Sequence, residues 1–190
     1  MKAISDKQKA KTVKEYKDRA RFDIKRLKEK GMSHSDYENL LQVEINKIVR
    51  LIDRGVNCIS CFRPISQVGY KATGKPQASH RFSVGSNNSL RFSLLINHCA
   101  CYRCNVMLSG NPDGYDEGLR TMYGQEYFEL VHDQKRLYPI VKLPSDDLKD
   151  KIGIAREIVK ELKSVELVFS AAERIEYRKF YNKQIGIYNL

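Results

Sequence analysis

The sequence predicts an α+β protein in which helices flank a small zinc-stapled core, and three observations predict it. Two Cys-x-x-Cys pairs, Cys58-Ile-Ser-Cys61 and Cys101-Tyr-Arg-Cys104, enclose a stretch rich in glycine, serine and asparagine. Apolar stripes of helical period lie on both sides of that stretch and not inside it. The formal charge is +11, from 34 basic and 23 acidic residues.

The elements follow in chain order. Val13, Tyr16, Ala20, Ile24 and Leu27 recur at three- and four-residue steps and predict a first helix, ended by Gly31. Its opposite face carries Lys11, Lys14, Lys17, Arg21, Lys25 and Lys28, a pattern that suits a solvated surface or a phosphate backbone equally. Ser33 and Asp36 form a capping box, because the hydroxyl and the carboxylate can each satisfy a first-turn amide. The helix they open has Tyr37, Leu40, Leu41, Ile45, Ile48 and Ile52 on its apolar face and is closed by Gly55. From Val56 to Gly110, short apolar runs between turn residues predict a hairpin-rich module that leans on metal for want of a large core. His80 falls at an expected strand end and Asn105 at an expected helix start. Asn111-Pro112-Asp113 opens helical sequence with Leu119, Met122 and Tyr123, continued past Gly124 by Tyr127, Phe128 and Val131. Pro139 and Pro144 bound a connector, and Ser145-Asp-Asp caps a helix with Leu148, Ile152, Ala155, Val159 and Leu162. A last helix is expected over Val165 to Tyr181. The expected division is a basic helical arm over 1–55, a core over 56–135 and a helical extension over 136–190.

Bulk properties narrow the function. The 190 residues suffice for one domain with extensions. No apolar run nears the roughly 18 residues that cross a bilayer, and the N-terminal stretch has no apolar signal core. The cytoplasm is therefore the expected compartment, where paired cysteines favour metal over disulfide. Cys99, the odd cysteine, could substitute as a ligand, but packing or a free thiol is its expected role. The positive charge draws the chain to polyanions, nucleic acid first.

The cysteines and the residues near them suggest chemistry. Each x-x spacer lets a tight turn aim two sulfurs at one ion, so Cys58, Cys61, Cys101 and Cys104 are the expected ligands of a structural Zn²⁺. Phosphodiester cleavage needs an activated water, a cation for the charge on phosphate and help for the leaving oxygen. A ββα-metal (HNH-like) site meets these needs with one histidine near a strand end and one or more Asn, Asp or His side chains holding Mg²⁺ or Mn²⁺. Neutral imidazole suits the base because its pKa lies near working pH, and an asparagine carbonyl binds a hard cation without titrating. His80 fits the base, though a turn cap or a spare zinc ligand is the structural alternative. Asn105 fits a metal ligand, with an N-cap as its plain role. His98 suits zinc, the catalytic metal or packing, while His34 and His132 read as surface or core fillers.

The ordered set Cys58-Ile-Ser-Cys61, Ala78-Ser-His80, Leu90-Arg-Phe92, Asn97-His98, Cys101-Tyr-Arg-Cys104-Asn105, Leu108-Ser-Gly-Asn111 and Tyr115 resembles the NinG (Rap) family of phage recombination nucleases. The likeness covers roughly residues 50 to 135, and the motif order is also similar to the phage endonuclease VII type of resolvase. The resemblance implies a Mg²⁺-dependent endonuclease that cuts branched DNA, Holliday junctions and D-loops among it, in the host bacterial cytoplasm. It implies His80 as general base, Asn105 as a catalytic-metal ligand and the four paired cysteines as zinc ligands. Ala78-Ser79 precede His80 where related sites carry an acidic residue or a glycine, and no Asp or Glu lies between Cys61 and Cys104. Asn97, His98 and Asn111 are the nearby candidates for the remaining ligand, and Asp113 and Asp116 the distant ones. Enzymes that cut two strands symmetrically act as dimers, so a homodimer is a further expectation. The rival readings are a non-catalytic zinc ribbon that binds DNA or RNA, and a sequence-specific HNH enzyme.

Overall fold

A computed structural model of the chain describes residues 31–65 and 75–188. The expected first helix, with its lysine-rich face, and the Gly69–Gly74 cluster lie outside the described residues. The described chain is helix-rich with one small sheet, an α+β arrangement.

Helix α1 spans His34–Ile52 and starts at the Ser33–Asp36 capping box, in which each side chain accepts from the other residue's backbone amide. Tyr37, Leu41, Ile45, Ile48, Val49 and Ile52 are buried on one face, which packs on the sheet and on α4. The sheet is a single antiparallel pair, β1 (Gln77–His80) and β2 (Asn97–Ala100), with Gln77 opposite Ala100 and His80 opposite Asn97. Among the described residues the expected hairpin-rich module reduces to one short ladder, its connection tightened by 3₁₀ turns at Asn88–Leu90 and Leu94–Ile96. Leu90, Phe92, Leu94, Leu95 and Ile96 from this connection are buried, so the loop itself supplies core.

Helix α2 (Pro112–Tyr123) and helix α3 (Gln125–Leu137) meet at Gly124, whose φ of 89° breaks the helical path. Helix α4 (Ser145–Ser164) buries Leu148, Ile152, Ala155, Ile158, Val159 and Leu162 against α1, in keeping with the expected stripe. Pro144 stands at the N-cap of α4, and Ser145 is its first residue, not its cap.

The last helix, α5, runs Ala171–Ile185 and begins six residues later than the sequence suggested. A second capping box, Ser170 with Glu173, sets that start. Its buried face is largely polar: Arg174, Arg178 and Asn182, four residues apart, are buried together with Tyr181 and Ile185. Arg178 is fully buried, and its guanidinium reaches both Asp53 carboxylate oxygens at 2.8 Å and the Asn97 carbonyl at 3.2 Å. Asp53, the C-cap of α1, also accepts from the Cys99 amide at 2.8 Å. Asn182 accepts from the Leu94 amide at 2.9 Å. A segment expected as an extension therefore closes the core, and its buried ion pair joins α1, β2 and α5.

Candidate functional site

The four cysteines that the spacing singled out come together. Among the described residues, Cys58, Cys61, Cys101 and Cys104 offer sulfurs that all lie within 4.8 Å of one another. Around a Zn²⁺ with Zn–S bonds near 2.3 Å, tetrahedral geometry asks for sulfur separations of about 3.8 Å. The Cys61 and Cys101 sulfurs are already 3.9 Å apart. A four-sulfur set of this size can hold a structural zinc. Backbone turns build it: the Phe62 amide donates to the Cys58 carbonyl at 2.9 Å, and the Ile59 amide to the Cys99 carbonyl at 3.0 Å, which fastens the first pair to β2.

The electrostatics of the cluster ask for a cation. Burial pushes the Cys58 thiol up to about 11, and burial with the neighbouring thiols pushes Cys104 higher still. Cys101, although burial opposes its ionisation, is drawn below the usual thiol value by the Cys104 amide and the three thiols around it. Four thiolates in mutual contact repel, and a divalent cation removes that cost. Amide donors already face the sulfurs, Cys101 N–H to Cys58 Sγ at 3.2 Å and Cys104 N–H to Cys101 Sγ at 3.5 Å, an outer shell of the kind that steadies metal ligands. Cys99, as expected, is not part of the set: it is buried, beside the Val49 carbonyl, and burial pushes its thiol well up.

Helix α2 lies directly on the first cysteine turn. A Cβ at Gly118 would stand 1.8 Å from the Ile59 carbonyl oxygen, and one at Gly114 would stand 2.4 Å from the Ser60 carbonyl oxygen. Two glycines four residues apart thus form a smooth face against which the first cysteine turn rests. The sequence reading missed them. Their spacing ahead of Leu119 on one helix face was the available signal.

His80 is the last residue of β1, as expected, and is mostly buried. Its Nε2 lies 2.9 Å from the Arg91 carbonyl, with the Gln42 amide nitrogen farther off at 3.4 Å. A carbonyl can only accept, so Nε2 carries the hydrogen and Nδ1 keeps the lone pair. Burial lowers the His80 pKa and the Arg91 charge adds to that, against the hydrogen bond to the Arg91 carbonyl. The imidazole is therefore neutral at pH 7 with one nitrogen ready to accept a proton.

Asn105 lies in a single turn of π-helix, Arg103–Met107, and not at the start of an α-helix. The Leu108 amide closes this turn on the Arg103 carbonyl at 2.9 Å, and the Gly110 amide donates to the Cys104 and Asn105 carbonyls at 2.9 and 3.1 Å. A Cβ at Gly110 would lie 3.9 Å from the His80 carbonyl oxygen. The turn that carries Asn105 is thereby stacked beside the end of β1. Ser109, Gly110 and Asn111 all have positive φ, at 50°, 90° and 47°, a costly run for two non-glycine residues.

Other candidates take structural places. His98 is fully enclosed: Nδ1 is 2.9 Å from the Tyr115 hydroxyl and Nε2 is 3.1 Å from the Tyr127 hydroxyl, so both ring nitrogens are engaged. Burial, with Arg178 and Arg174 nearby, lowers its pKa well below 6.5. In this arrangement His98 has no lone pair to offer a metal, and its expected cofactor role is replaced by packing. Asn97 is also fully buried. The amide nitrogen of Asn111 faces the Ser60 carbonyl at 3.2 Å and Cys104 Sγ at 3.9 Å, which places Asn111 in the outer shell of the cysteine cluster. Asp116 is held by Arg81 at 2.5 and 2.6 Å and by His132 at 3.0 Å. Although burial opposes it, these donors keep the carboxyl below its usual value. His132 is thus a partner of Asp116 and packs on Phe82 and Phe128, while His34 bonds the Leu143 carbonyl. Asp113 is exposed in the first turn of α2.

Fold and site together define a helix-rich α+β protein built around a four-cysteine cluster able to hold a metal, with a neutral, oriented histidine at the end of the adjoining strand. No curated protein and no solved structure matches the chain. The family model described as bacteriophage lambda NinG protein matches residues 1–166. The chain belongs to the NinG family. Among the described residues, no helix is long and apolar enough to cross a membrane.

Proposed function

We propose that the chain is a metal-dependent endonuclease of the ββα-metal (HNH-like) type that cuts branched DNA during phage recombination, working in the host cytoplasm. The observation that carries this reading is His80: its Nε2–H is spent on the Arg91 carbonyl, which leaves Nδ1 as base. The order strand, strand, helix around the cysteine cluster, with family membership, supports the same reading.

In this reading His80 Nδ1 takes a proton from a water that attacks phosphorus. The bond from phosphorus to the 3′ oxygen breaks, giving a 5′-phosphate and a 3′-hydroxyl. A divalent cation, Mg²⁺ or Mn²⁺, would neutralise charge on the phosphate and on the leaving oxygen. Asn105 is the residue that would hold it, since Asp116 is committed to Arg81 and His132 and His98 is closed off. A single protein oxygen suits Mg²⁺, which keeps several waters and takes substrate phosphate oxygens. The four-cysteine site fixes the turn that carries Asn105 and takes no part in the chemistry.

The test is cleavage of a labelled four-way junction with Mg²⁺, wild type beside His80→Ala. The variant should bind the junction and cut it on the order of 10²-fold more slowly, the usual worth of a general base. Asn105→Ala should also lose activity and recover part of it at raised Mn²⁺. The acid limb of the rate should fall below pH 6.5, because burial keeps His80 unprotonated at lower pH. Cleavage by His80→Ala at the wild-type rate would favour the rival, a zinc-ribbon protein that binds nucleic acid without cutting it.

A further inference from the structure

The cysteine cluster carries an apolar rim that the core does not use. Phe62 follows Cys61, and Val106, Met107 and Leu108 follow Cys104 by two to four positions. Their exposures are 38%, 50%, 57% and 45%. The two segments meet at the cluster, because Cys61 and Cys104 are both in the sulfur set. Large side chains left in water beside a rigid metal site mark a surface that is covered in use.

Phe62 sharpens the point. Its φ is 60°, the left-handed region that glycine enters freely and a bulky residue enters at a cost. The turn needs that conformation, since the chain must double back past Phe62 for the Arg63 carbonyl to accept from the Cys58 amide at 2.9 Å. The hydrogen bonds of the turn are backbone to backbone and do not involve the aromatic ring, which is partly exposed.

The surrounding charge selects the occupant. The ionisable side chains flanking the rim are Arg63 and Arg103, both exposed, and no Asp or Glu occurs between Asp53 and Asp113. An apolar wedge flanked along the chain by two exposed arginines suits unstacked bases beside phosphate, where aromatic and aliphatic side chains replace lost stacking. Duplex DNA offers no such bases without deformation, whereas a branch point does. We infer that Phe62, Val106, Met107 and Leu108 form a base-stacking wedge that enters the branch point of DNA. Val106 adjoins Asn105, so the wedge sets the branch beside the proposed metal ligand. This inference rests on the branched-DNA reading above and names the surface that recognises the branch.

The test uses the full-length, zinc-loaded protein with Ca²⁺ in place of Mg²⁺, so that DNA stays intact. Phe62→Ala keeps a non-glycine residue at the left-handed position and deletes only the ring; Met107→Ser deletes the second wedge side chain. Binding is measured to a four-way junction with 2-aminopurine at the branch and to a linear duplex of the same sequence. The protein contains no tryptophan, so the base is a clean reporter. Wild type should raise the 2-aminopurine emission as the base unstacks. Each variant should abolish most of that rise and weaken junction binding about tenfold, with duplex affinity within about twofold. Zinc content and melting temperature should match wild type. Unchanged emission and affinity in both variants, in a protein that still cuts junctions, would overturn the wedge alone. An equal loss on junction and duplex would overturn it too, by making the rim a general contact. A changed oligomeric state with unaltered DNA binding would assign the rim to a second copy of the chain. If the wild type binds neither DNA, the branched-DNA reading fails, and the wedge with it.

Discussion

Gly118→Ala tests the seating of helix α2 on the cysteine turn. In an ordinary helix interior this change stabilises by about 1 kcal/mol, because alanine loses less backbone freedom. Here the new methyl carbon would stand 1.8 Å from the Ile59 carbonyl oxygen and 2.8 Å from its carbon. Ile59 cannot yield, since it sits between two cysteines of the four-sulfur cluster and its amide donates to the Cys99 carbonyl. The helix must retreat by more than an ångström, and Tyr115 and Leu119, both fully buried, retreat with it. Tyr115 then loses its hydroxyl contacts to the Ser79 and Ile96 carbonyls. Overpacking costs about 1–3 kcal/mol and each hydrogen bond about 1, so the net loss should be about 3 kcal/mol after the propensity gain. Gly153→Ala on the exposed face of α4 meets nothing within 4 Å and should instead stabilise by about 1 kcal/mol. Urea unfolding of both variants, with zinc release followed by a coloured chelator, reads the contrast. A Gly118→Ala protein as stable as the Gly153→Ala one, and no quicker to lose zinc, would refute the close approach.

Protein purified without chelator should carry close to one zinc per chain, and Cys104→Ser should lose the metal and unfold the central module; metal analysis with circular dichroism checks both. Asp53→Asn should destabilise by about 3–5 kcal/mol, because Arg178 would keep its charge with no counter-charge in the core, and Asp53→Asn with Arg178→Met should recover much of that in denaturant titration. Acid should weaken the fold through His98. Its folded pKa lies well below 6.5, so the unfolded chain takes the proton first; the stability is fully present above about 6.5 and is lost as pH falls toward the folded value. His98→Gln should flatten that slope by up to about 1.4 kcal/mol per pH unit, measured as stability against pH.

Legibility in the sequence tracked the kind of force that sets each element. Helix α1 was readable from both ends, because a capping box and an apolar stripe act within a few residues. The four cysteines are legible because the spacing that suits a metal is local to each pair, and the sulfurs do converge. The start of helix α5 is not legible because Arg174, Arg178 and Asn182 make up most of its buried face, with Tyr181 and Ile185 only toward its end, and apolar periodicity is blind to polar residues that pair in the core. His98 had the composition of a ligand, and only the tyrosines of α2 and α3, 17 and 29 residues away, closed it off. Asn105 was placed at a helix start because the π turn arises from bonds that no local pattern announces. His80 at the end of β1 was anticipated from alternation, but the Arg91 carbonyl that orients it comes from a connection without regular structure.

The Asp53–Arg178 pair joins positions 125 residues apart, and Arg178 lies beyond the stretch matched by the family model. During synthesis Asp53, Cys99 and the strand around them emerge long before their cation exists. The carboxylate must then stay hydrated at the foot of α1, and the ladder's edge near Cys99 stays open to water. Closing so long a loop is slow and comes late in folding. Helix α5 therefore acts as a latch fitted last, and a chain cut at residue 166 would keep Asp53 hydrated and the core beside it unclosed.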